Sequence, residues 1–406
     1  MHSATEIADQ LLLSKATSAD ASAPRMCVMT RTWLSSGAGL FAQELVAGLV
    51  HSGAMVTFVA PKAENLAYES PHPRLRRLRP PRERRDSSPR LVRLAYSMAR
   101  VFSSSASLLW SRLTNRVFIV SIPEPLVFGV PILALLWLTG ARLIFVAHDP
   151  VPHAWKLPAP FRALELWMHK ACYRLASATV VLSEPSAAKI HSVYPDFEGR
   201  IEVIEHGVFL LNNPSELPGH RKLLLFGTLR RNKGVREAIE GTLIAVSRGA
   251  NVSLVVAGEP HNEDASYWRE CEALARVAPE TIELEIGYVQ DDALERLFRE
   301  CDALLMPYQE FFSQSGVALL AASNARPIIA SMAGGIGSLI EEGMPATVIQ
   351  MPITEQSVAS AIEEFLAVSA DTWRTRAASY RELTMTKRSW NAIAQRYRTL
   401  AEEIGA

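Results

Sequence analysis

The stretch from Cys301 to Glu342, CDALLMPYQEFFSQSGVALLAASNARPIIASMAGGIGSLIEE, constrains this chain more than any other. Asp302–Met306 is a short apolar run closed by Pro307, which reads as a buried parallel strand. A polar loop, Tyr308–Ser315, leads into small apolar residues, Gly316–Ser323, that suit a packed helix. Pro327–Ser331 reads as a second strand and Ala333–Gly337 as a glycine loop. Two loops thus lie at the carboxyl ends of two parallel strands, where open α/β sheets hold ligands. The first loop enters its helix through Ser315-Gly316. Free backbone N–H groups at such a helix start suit a phosphate.

The rest of the chain carries the same alternation in two series. Met26–Thr30 reads as a strand, Leu40–Val50 as a helix with Leu45, Val46, Leu49 and Val50 at helical spacing, and Met55–Ala60 as a second strand. Between the first strand and the helix, Arg31–Ser36 with Gly37 and Gly39 reads as a mobile loop facing a cleft. Gly37–Ala42 matches GxGxxA, but it lies several residues past the strand. Ala60-Pro61-Lys62 also offers no acidic residue for a ribose, so a dinucleotide cofactor is disfavoured. Val117–Ser121 and Leu143–Ala147 are further strands, the latter ending in His148-Asp149. A metal reading of His148, Asp149 and His153 meets intervening prolines that break a regular ligand face. Ala176–Leu182 and Ile201–Ile204 follow, the last ending in Glu205-His206-Gly207.

The second series begins with strand Lys222–Phe226, a basic glycine loop Gly227–Gly234 and helix Val235–Ser247. Strands Val252–Ala257, ending in Gly258-Glu259, and Ile282–Ile286 lead back to the stretch above. Three helices, Glu355–Val368, Asp371–Leu383 and Arg388–Ile404, close the chain. The fold class expected is α/β, with two Rossmann-like doubly wound domains facing across a cleft. Residues 1–24 form a disordered lead-in, 25–211 the first domain, 212–220 an Asn/Pro/Ser/Gly-rich linker, 221–386 the second domain and 387–406 a last helix. Arg230, Arg231 and Lys233 would face an anion held at the start of the Gly316 helix, and a diphosphate satisfies both. Departure of a nucleoside diphosphate needs such cations and N–H dipoles.

Composition narrows the setting. Lys+Arg and Asp+Glu are both 42 in 406 residues, so local clustering matters more than the balance. Four cysteines without a CxxC fit a reducing compartment. Met1–Pro24 lacks the basic start and long apolar core of a signal peptide. Pro125–Thr139 is apolar but shorter than the roughly 20 residues of a membrane span. A cytoplasmic protein is expected. Arginines crowd residues 74–100, Arg76, Arg77, Arg84 and Arg85 among them, beside an amphipathic stretch with Leu94, Met98 and Phe102, and Trp110 further on. Such a segment reads as contact with an anionic membrane surface. No nucleic-acid-binding signature is present.

Taken in order and spacing, Gly227–Gly234, Ser315–Pro327 followed by Gly334-Gly335, His148-Asp149 and Ile204–Gly207 resemble glycosyltransferase family 4, of the GT-B architecture. The resemblance implies a metal-independent, retaining transfer of a hexose from a UDP- or GDP-linked sugar, with no cofactor. The acceptor would be a glycan or polyprenyl-linked lipid in bacterial surface polysaccharide synthesis, at the inner membrane face. It also implies that the last helix crosses back to the first domain. Carried over, Lys233 and Arg230 contact the donor diphosphate, beside Gly227. Gly316 and Val317 offer N–H groups next to Ser315, and His148 contacts the donor sugar. Gly37 and Gly39 line the cleft, and Glu259 and Val289 flank the base. The family often has arginine after the loop glycine, where Thr228 stands here. It often has glutamates where Ser313 and Ala321 stand, and Glu310 is near but out of register. A nucleotide-sugar epimerase on the same plan and a non-catalytic member of a polysaccharide-synthesis complex are the competing expectations.

Overall fold

The structure, a computed structural model, describes residues 23–30, 37–62, 70–81, 89–121, 125–150, 158–211, 216–261, 264–309, 311 and 314–405. These fall into two compact units: Val208–Lys387, and the residues up to Gly207 together with Arg388 onward.

The unit that begins the chain holds a seven-stranded, all-parallel sheet. Its strands are β1 (Arg25–Thr30), β2 (Met55–Val59), β3 (Leu75–Leu78), β4 (Val117–Ser121), β5 (Arg142–Ala147), β6 (Ala178–Val181) and β7 (Ile201–Val203), in spatial order β3-β2-β1-β4-β5-β6-β7. β1 is central, pairing Met26 with Val56 on one side and Val117 on the other. Both faces are covered, which is why these strands read as continuous apolar runs rather than alternations. One face sets Cys27, Met29, Phe118, Val120, Leu143 and Phe145 under three helices, α2 (Arg90–Ser111), α3 (Leu126–Leu138) and α4 (Arg162–Leu175), after α1 (Gly37–His51) in the chain. α1 buries Phe41, Leu45 and Leu49. A further helix, α5 (Glu184–Val193), starts on Ser183, whose hydroxyl accepts from Ser186 N–H.

The other unit holds six parallel strands: β8 (Lys222–Phe226), β9 (Ser253–Gly258), β10 (Ile282–Ile286), β11 (Ala303–Met306), β12 (Ile328–Ala330) and β13 (Ala346–Val348), in order β10-β9-β8-β11-β12-β13. Its helices are α6 (Val235–Ser247), α7 (Ala265–Ala275), α8 (Asp291–Glu300), α9 (Gly316–Ser323), α10 (Gly335–Glu341), α11 (Glu355–Ala367) and α12 (Ala370–Lys387). Two apolar layers, one on each face, form its core. Buried Asp302 ties the entry of β8 to β11 by accepting N–H bonds from Gly219 (2.6 Å), Arg221 and Lys222 (3.3 Å). The last helix, α13 (Trp390–Gly405), packs along α1 of the first sheet. Gly48 permits this: a Cβ there would lie 2.5 Å from the Trp390 carbonyl oxygen.

Numbered within their own units, the two sheets share one strand order, 3-2-1-4-5-6, with a seventh strand added to the first. The order reverses between β1 and β4 and again between β8 and β11. Ligands of open α/β sheets bind at such points.

Two glycine stretches read as loops begin helices instead: Gly335 and Gly337 of Ala333–Gly337 lie in α10. Gly37 and Gly39 are not a loop but the first turn of α1. Glycine is a poor helix former, yet the buried row continued by Phe41, Ala42 and Leu45 holds the turn in place. The arginine run is partly a strand. Arg76 and Arg77 lie in β3, paired with Thr57 and Phe58 at the sheet edge. Charged side chains on an edge strand block further pairing, so LRRL forms a strand without looking like one.

Candidate functional site

β8 and β11 are neighbours at the reversal point, so the loops leaving their carboxyl ends meet. The first loop is shaped by glycines. Gly227 has φ +113° and Gly258, at the end of β9, has φ +138°. A Cβ on Gly258 would overlap the Gly227 carbonyl oxygen, so β8 and β9 end in close backbone contact. Leu229 N–H donates to Glu259 O (2.9 Å), and His261 N–H donates to Leu229 O (3.0 Å), which ties the loop back to the end of β9. Arg231–Lys233 then makes one tight turn ending at Gly234 in the left-handed region, φ +65°. A Cβ on Gly234 would overlap Pro307 O in the neighbouring loop. Gln309 N–H donates to Asn232 O (2.9 Å) across the same seam.

This geometry delivers the Lys233 ammonium to one place. It lies 5.4 Å from the centre of the Tyr308 ring. It also lies 2.9 Å from where a Gly227 Cβ would be, with Val317 Cγ2 3.5 Å from that point. Burial, and secondarily the charge of Arg230, lowers the Lys233 pKa to about 8. Arg230 Nε is itself buried without a hydrogen-bond partner among the described residues. Two mutually repelling, partly desolvated cations mark a place that an anion would relieve.

The second loop completes the surroundings. Ser315 caps α9, accepting from Ala318 N–H (3.2 Å) through its hydroxyl and from Leu319 N–H (3.1 Å) through its carbonyl. The N–H groups of Gly316 and Val317 precede the first intrahelical acceptor, so the helix itself offers them no partner. Gly316 is exposed, and a Cβ there would meet open space. Tyr308 is buried beneath Lys233, its hydroxyl hydrogen-bonded to the Ser315 side chain and its carbonyl accepting from Ser331 Oγ (2.5 Å). The contribution of Tyr308 was hidden in the sequence, since nothing in a lone loop tyrosine signals a lysine above its ring.

The structure brings together Gly227, Lys233, Ser315 and Val317, with Gly316 opening α9 beside them and Arg230 close enough to depress the Lys233 pKa. Arg231 does not join them. Its guanidinium sits 4.5 Å from the centre of the Tyr267 ring and its N–H donates to Asp264. There it lines a cavity of about 630 Å³ with Glu237, Glu240 and Gln309. Lys233 is absent from that lining, and three carboxylates, Glu237, Glu240 and Glu355, against the guanidinium groups of Arg231 and Arg236 make it a poor place for a diphosphate. Glu259 is exposed at the end of β9, and Val289 packs half-buried on the core layer that includes Tyr308. Ala321 is fully buried in α9, so an acidic residue in its place would have to enter the core in this arrangement. Glu310, Ser313, Arg84 and Arg85 lie outside the described residues.

His148 belongs to the other unit, at the carboxyl end of β5. Its ring meets Phe41 edge-on at 4.9 Å, and Phe41 in turn contacts His206 (5.1 Å) and Trp390 (5.3 Å). Burial lowers the pKa of both histidines to about 4, so both are neutral at pH 7. His206 Nδ1 is 2.5 Å from Gly207 O. Gly207 is needed because a Cβ there would come within 2.6 Å of the Trp390 ring. His206 and Trp390 were read only as a strand end and a helix face. Among the described residues, no group of three or more His, Cys, Asp or Glu is placed to hold a metal.

Comparison with known proteins adds to this geometry. The family model described as Glycosyltransferase Family 4 matches residues 35–210, and that described as Glycosyl transferases group 1 matches residues 220–367. The chain is 26% identical over 281 residues to a GDP-mannose:glycolipid 4-beta-D-mannosyltransferase of Xanthomonas campestris pv. campestris, covering 68% of this chain and 72% of that one. It is 26% identical over 183 residues to a lipopolysaccharide 1,2-N-acetylglucosaminetransferase of Salmonella typhimurium, covering 43% and 46%. Its fold is similar to that of Anabaena HepE, solved in complex with UDP and glucose. That likeness has a TM-score of 0.67 at 16% identity and covers 94% of this chain and all of the other.

Proposed function

The chain belongs to the glycosyltransferases that these two families group together, with the GT-B fold, and from that premise we propose that it moves a hexose from a nucleotide sugar to a glycan or lipid-linked acceptor in bacterial surface polysaccharide synthesis. The observation that carries the reading is the half-buried Lys233 ammonium set between Gly227, Tyr308 and the open start of α9. In this reading Lys233 and Arg230 meet the donor diphosphate, and the N–H groups of Gly316 and Val317 bind its oxygens. As the bond from the anomeric carbon to the diphosphate breaks, charge grows on the leaving oxygen. Fixed cations and N–H dipoles stabilise that charge without a resident metal or cofactor. Glu259 and Val289 flank the base, and neutral His148 meets the sugar. The relatives' names support the substrate classes: GDP-mannose and a glycolipid for one, lipopolysaccharide for another. We place the enzyme in the cytoplasm, peripheral on the inner face of the membrane.

The family resemblance implies retention at the anomeric carbon. The β linkage in the Xanthomonas relative's name favours a second reading, transfer with inversion. The anomeric coupling constant of the product, set against that of the donor, decides between them.

A panel of UDP- and GDP-hexoses, assayed by nucleoside diphosphate release with a lipid-extract acceptor, tests the main reading. One donor is expected to turn over, with EDTA having no effect. Lys233→Ala should lower kcat/KM about 10²- to 10³-fold, the loss typical of removing one charge-stabilising group. No release and no binding heat with any donor would refute it.

A further inference from the structure

Three helices of the first sheet's unit, α2, α3 and α4, cover one face of the sheet and turn apolar side chains outward as well as inward. In α2 the inner row is Val101, Ser104, Ser105 and Leu108, all buried. Two of these are serines. The outer row, Phe102 and Trp110, continued by Leu113 in the turn after the helix, is large, apolar and exposed. This inverts the pattern of a helix whose outer face meets water. α3 carries no polar side chain at all, and its outer row is Val127, Leu135, Trp137 and Leu138. α4 and the turn before it add Phe161, Leu164 and Trp167. Trp110, Trp137 and Trp167 are 60%, 52% and 60% exposed, and Leu138 is 72% exposed.

α3 packs beside both α2 and α4, so the three outer rows adjoin. At about 10 Å per helix and about 20 Å of length, they make a face of roughly 600 Å². That reaches the upper limit of what soluble monomers leave exposed. Charge identifies the occupant. From Arg90 to Ala147 the sequence has six arginines and one acidic residue, Glu124. Of these arginines, Arg93, Arg116 and Arg142 are exposed. Three tryptophans on an apolar face, in a stretch this rich in exposed arginine, match the boundary between an anionic headgroup layer and acyl chains. α3 has 13 residues and is too short to cross a bilayer, so it would lie in the plane.

We propose that the outer face of α2, α3 and α4 seats this protein on an anionic lipid bilayer, with Trp110, Trp137 and Trp167 at the level of the headgroups. This rests on the reading that the acceptor is lipid-linked, and it moves the contact away from the β3 arginines. Those lie in the edge strand β3 and not on this helix face.

The test is co-sedimentation of the full chain with phosphatidylcholine vesicles, with and without phosphatidylglycerol, and quenching of its tryptophan emission by brominated acyl chains. The wild type should bind the anionic vesicles and be quenched. The triple variant Trp110→Ser/Trp137→Ser/Trp167→Ser should bind at least a hundredfold more weakly, about tenfold for the first tryptophan removed. Arg93→Ser/Arg116→Ser/Arg142→Ser should lose the preference for phosphatidylglycerol. Unchanged far-ultraviolet circular dichroism and unchanged donor hydrolysis by the tryptophan variant would show an intact fold and keep the two readings separate. Wild-type protein that binds no donor and releases no nucleoside diphosphate with the lipid-extract acceptor refutes the glycosyltransferase reading alone. Wild-type protein that ignores both vesicles, a tryptophan variant that binds normally, or a dimer that the variant breaks would overturn the membrane face.

Discussion

Replacing Lys233 by methionine should make the unliganded protein more stable and its donor binding worse. Folding lowers the Lys233 pKa from 10.5 to about 8, chiefly because its ammonium leaves water. At 1.36 kcal/mol per tenfold change in proton affinity, that corresponds to roughly 3 kcal/mol. Water still reaches the half-buried side chain, so about 1–3 kcal/mol is expected. The sign follows from linkage. Between pH 8 and 10.5 the unfolded chain holds this proton more tightly than the folded one, so stability rises with pH. The penalty is complete below about pH 8 and gone above about pH 10.5. Lys233→Met removes it, and methionine fills similar space. Urea unfolding at pH 7 and pH 10 should show the variant ahead of the wild type at pH 7, with the gap closing towards pH 10. Added UDP or GDP should raise the Tm of the wild type but not of the variant, since ligand binding stabilises only the state that binds. A variant that is less stable at pH 7, a gap independent of pH, or an intact nucleotide-dependent rise in Tm would refute the reasoning.

Arg326 is 1% exposed and donates to the carbonyls of Phe298, Asn324, Ala325 and Glu216, tying the end of α9 to neighbouring segments. Arg326→Met should cost at least about 3 kcal/mol in urea unfolding, because the carbonyls lose their donor. Gly258→Ala should lower the Tm by several degrees and donor turnover with it, since a Cβ overlaps Gly227 O at a φ reserved for glycine. His206, neutral in the fold with a pKa of about 4 against an ordinary 6.5, should withdraw up to about 3 kcal/mol of stability as pH falls from 6.5 to 4. His206→Gln should flatten that part of the acid-unfolding curve. Phe41→Ala, which empties the space between His148, His206 and Trp390, should cost about 3–5 kcal/mol by denaturant unfolding.

Much of the fold could be read from local pattern. Apolar runs such as VFIVS and LIFVA, each closed by polar or glycine residues, mark buried parallel strands whatever surrounds them. The strands that escaped are β3, whose arginines suit an edge, and β13, whose three residues are too few to show a period. The glycine loop and the Ser315-Gly316 helix start were legible because the backbone conformations they need admit few residue types. Arg231 was not separable from Arg230 and Lys233, since one residue of rotation in a tight turn sends it to Tyr267 instead.

The sequence by itself determined that this chain alternates strands and helices in two series and keeps glycine where backbones must touch. It also put three cations, Arg230, Arg231 and Lys233, into one glycine loop after a strand. These are properties of neighbours in the chain, and local sterics and hydrogen bonding settle them. Only the tertiary structure decided that β8 lies next to β11, which puts Tyr308 and Val317 around Lys233. Likewise, only it set the outer faces of α2, α3 and α4 side by side. Pairing order and helix packing join residues far apart in sequence, and no periodicity within a segment records which partner another segment will choose.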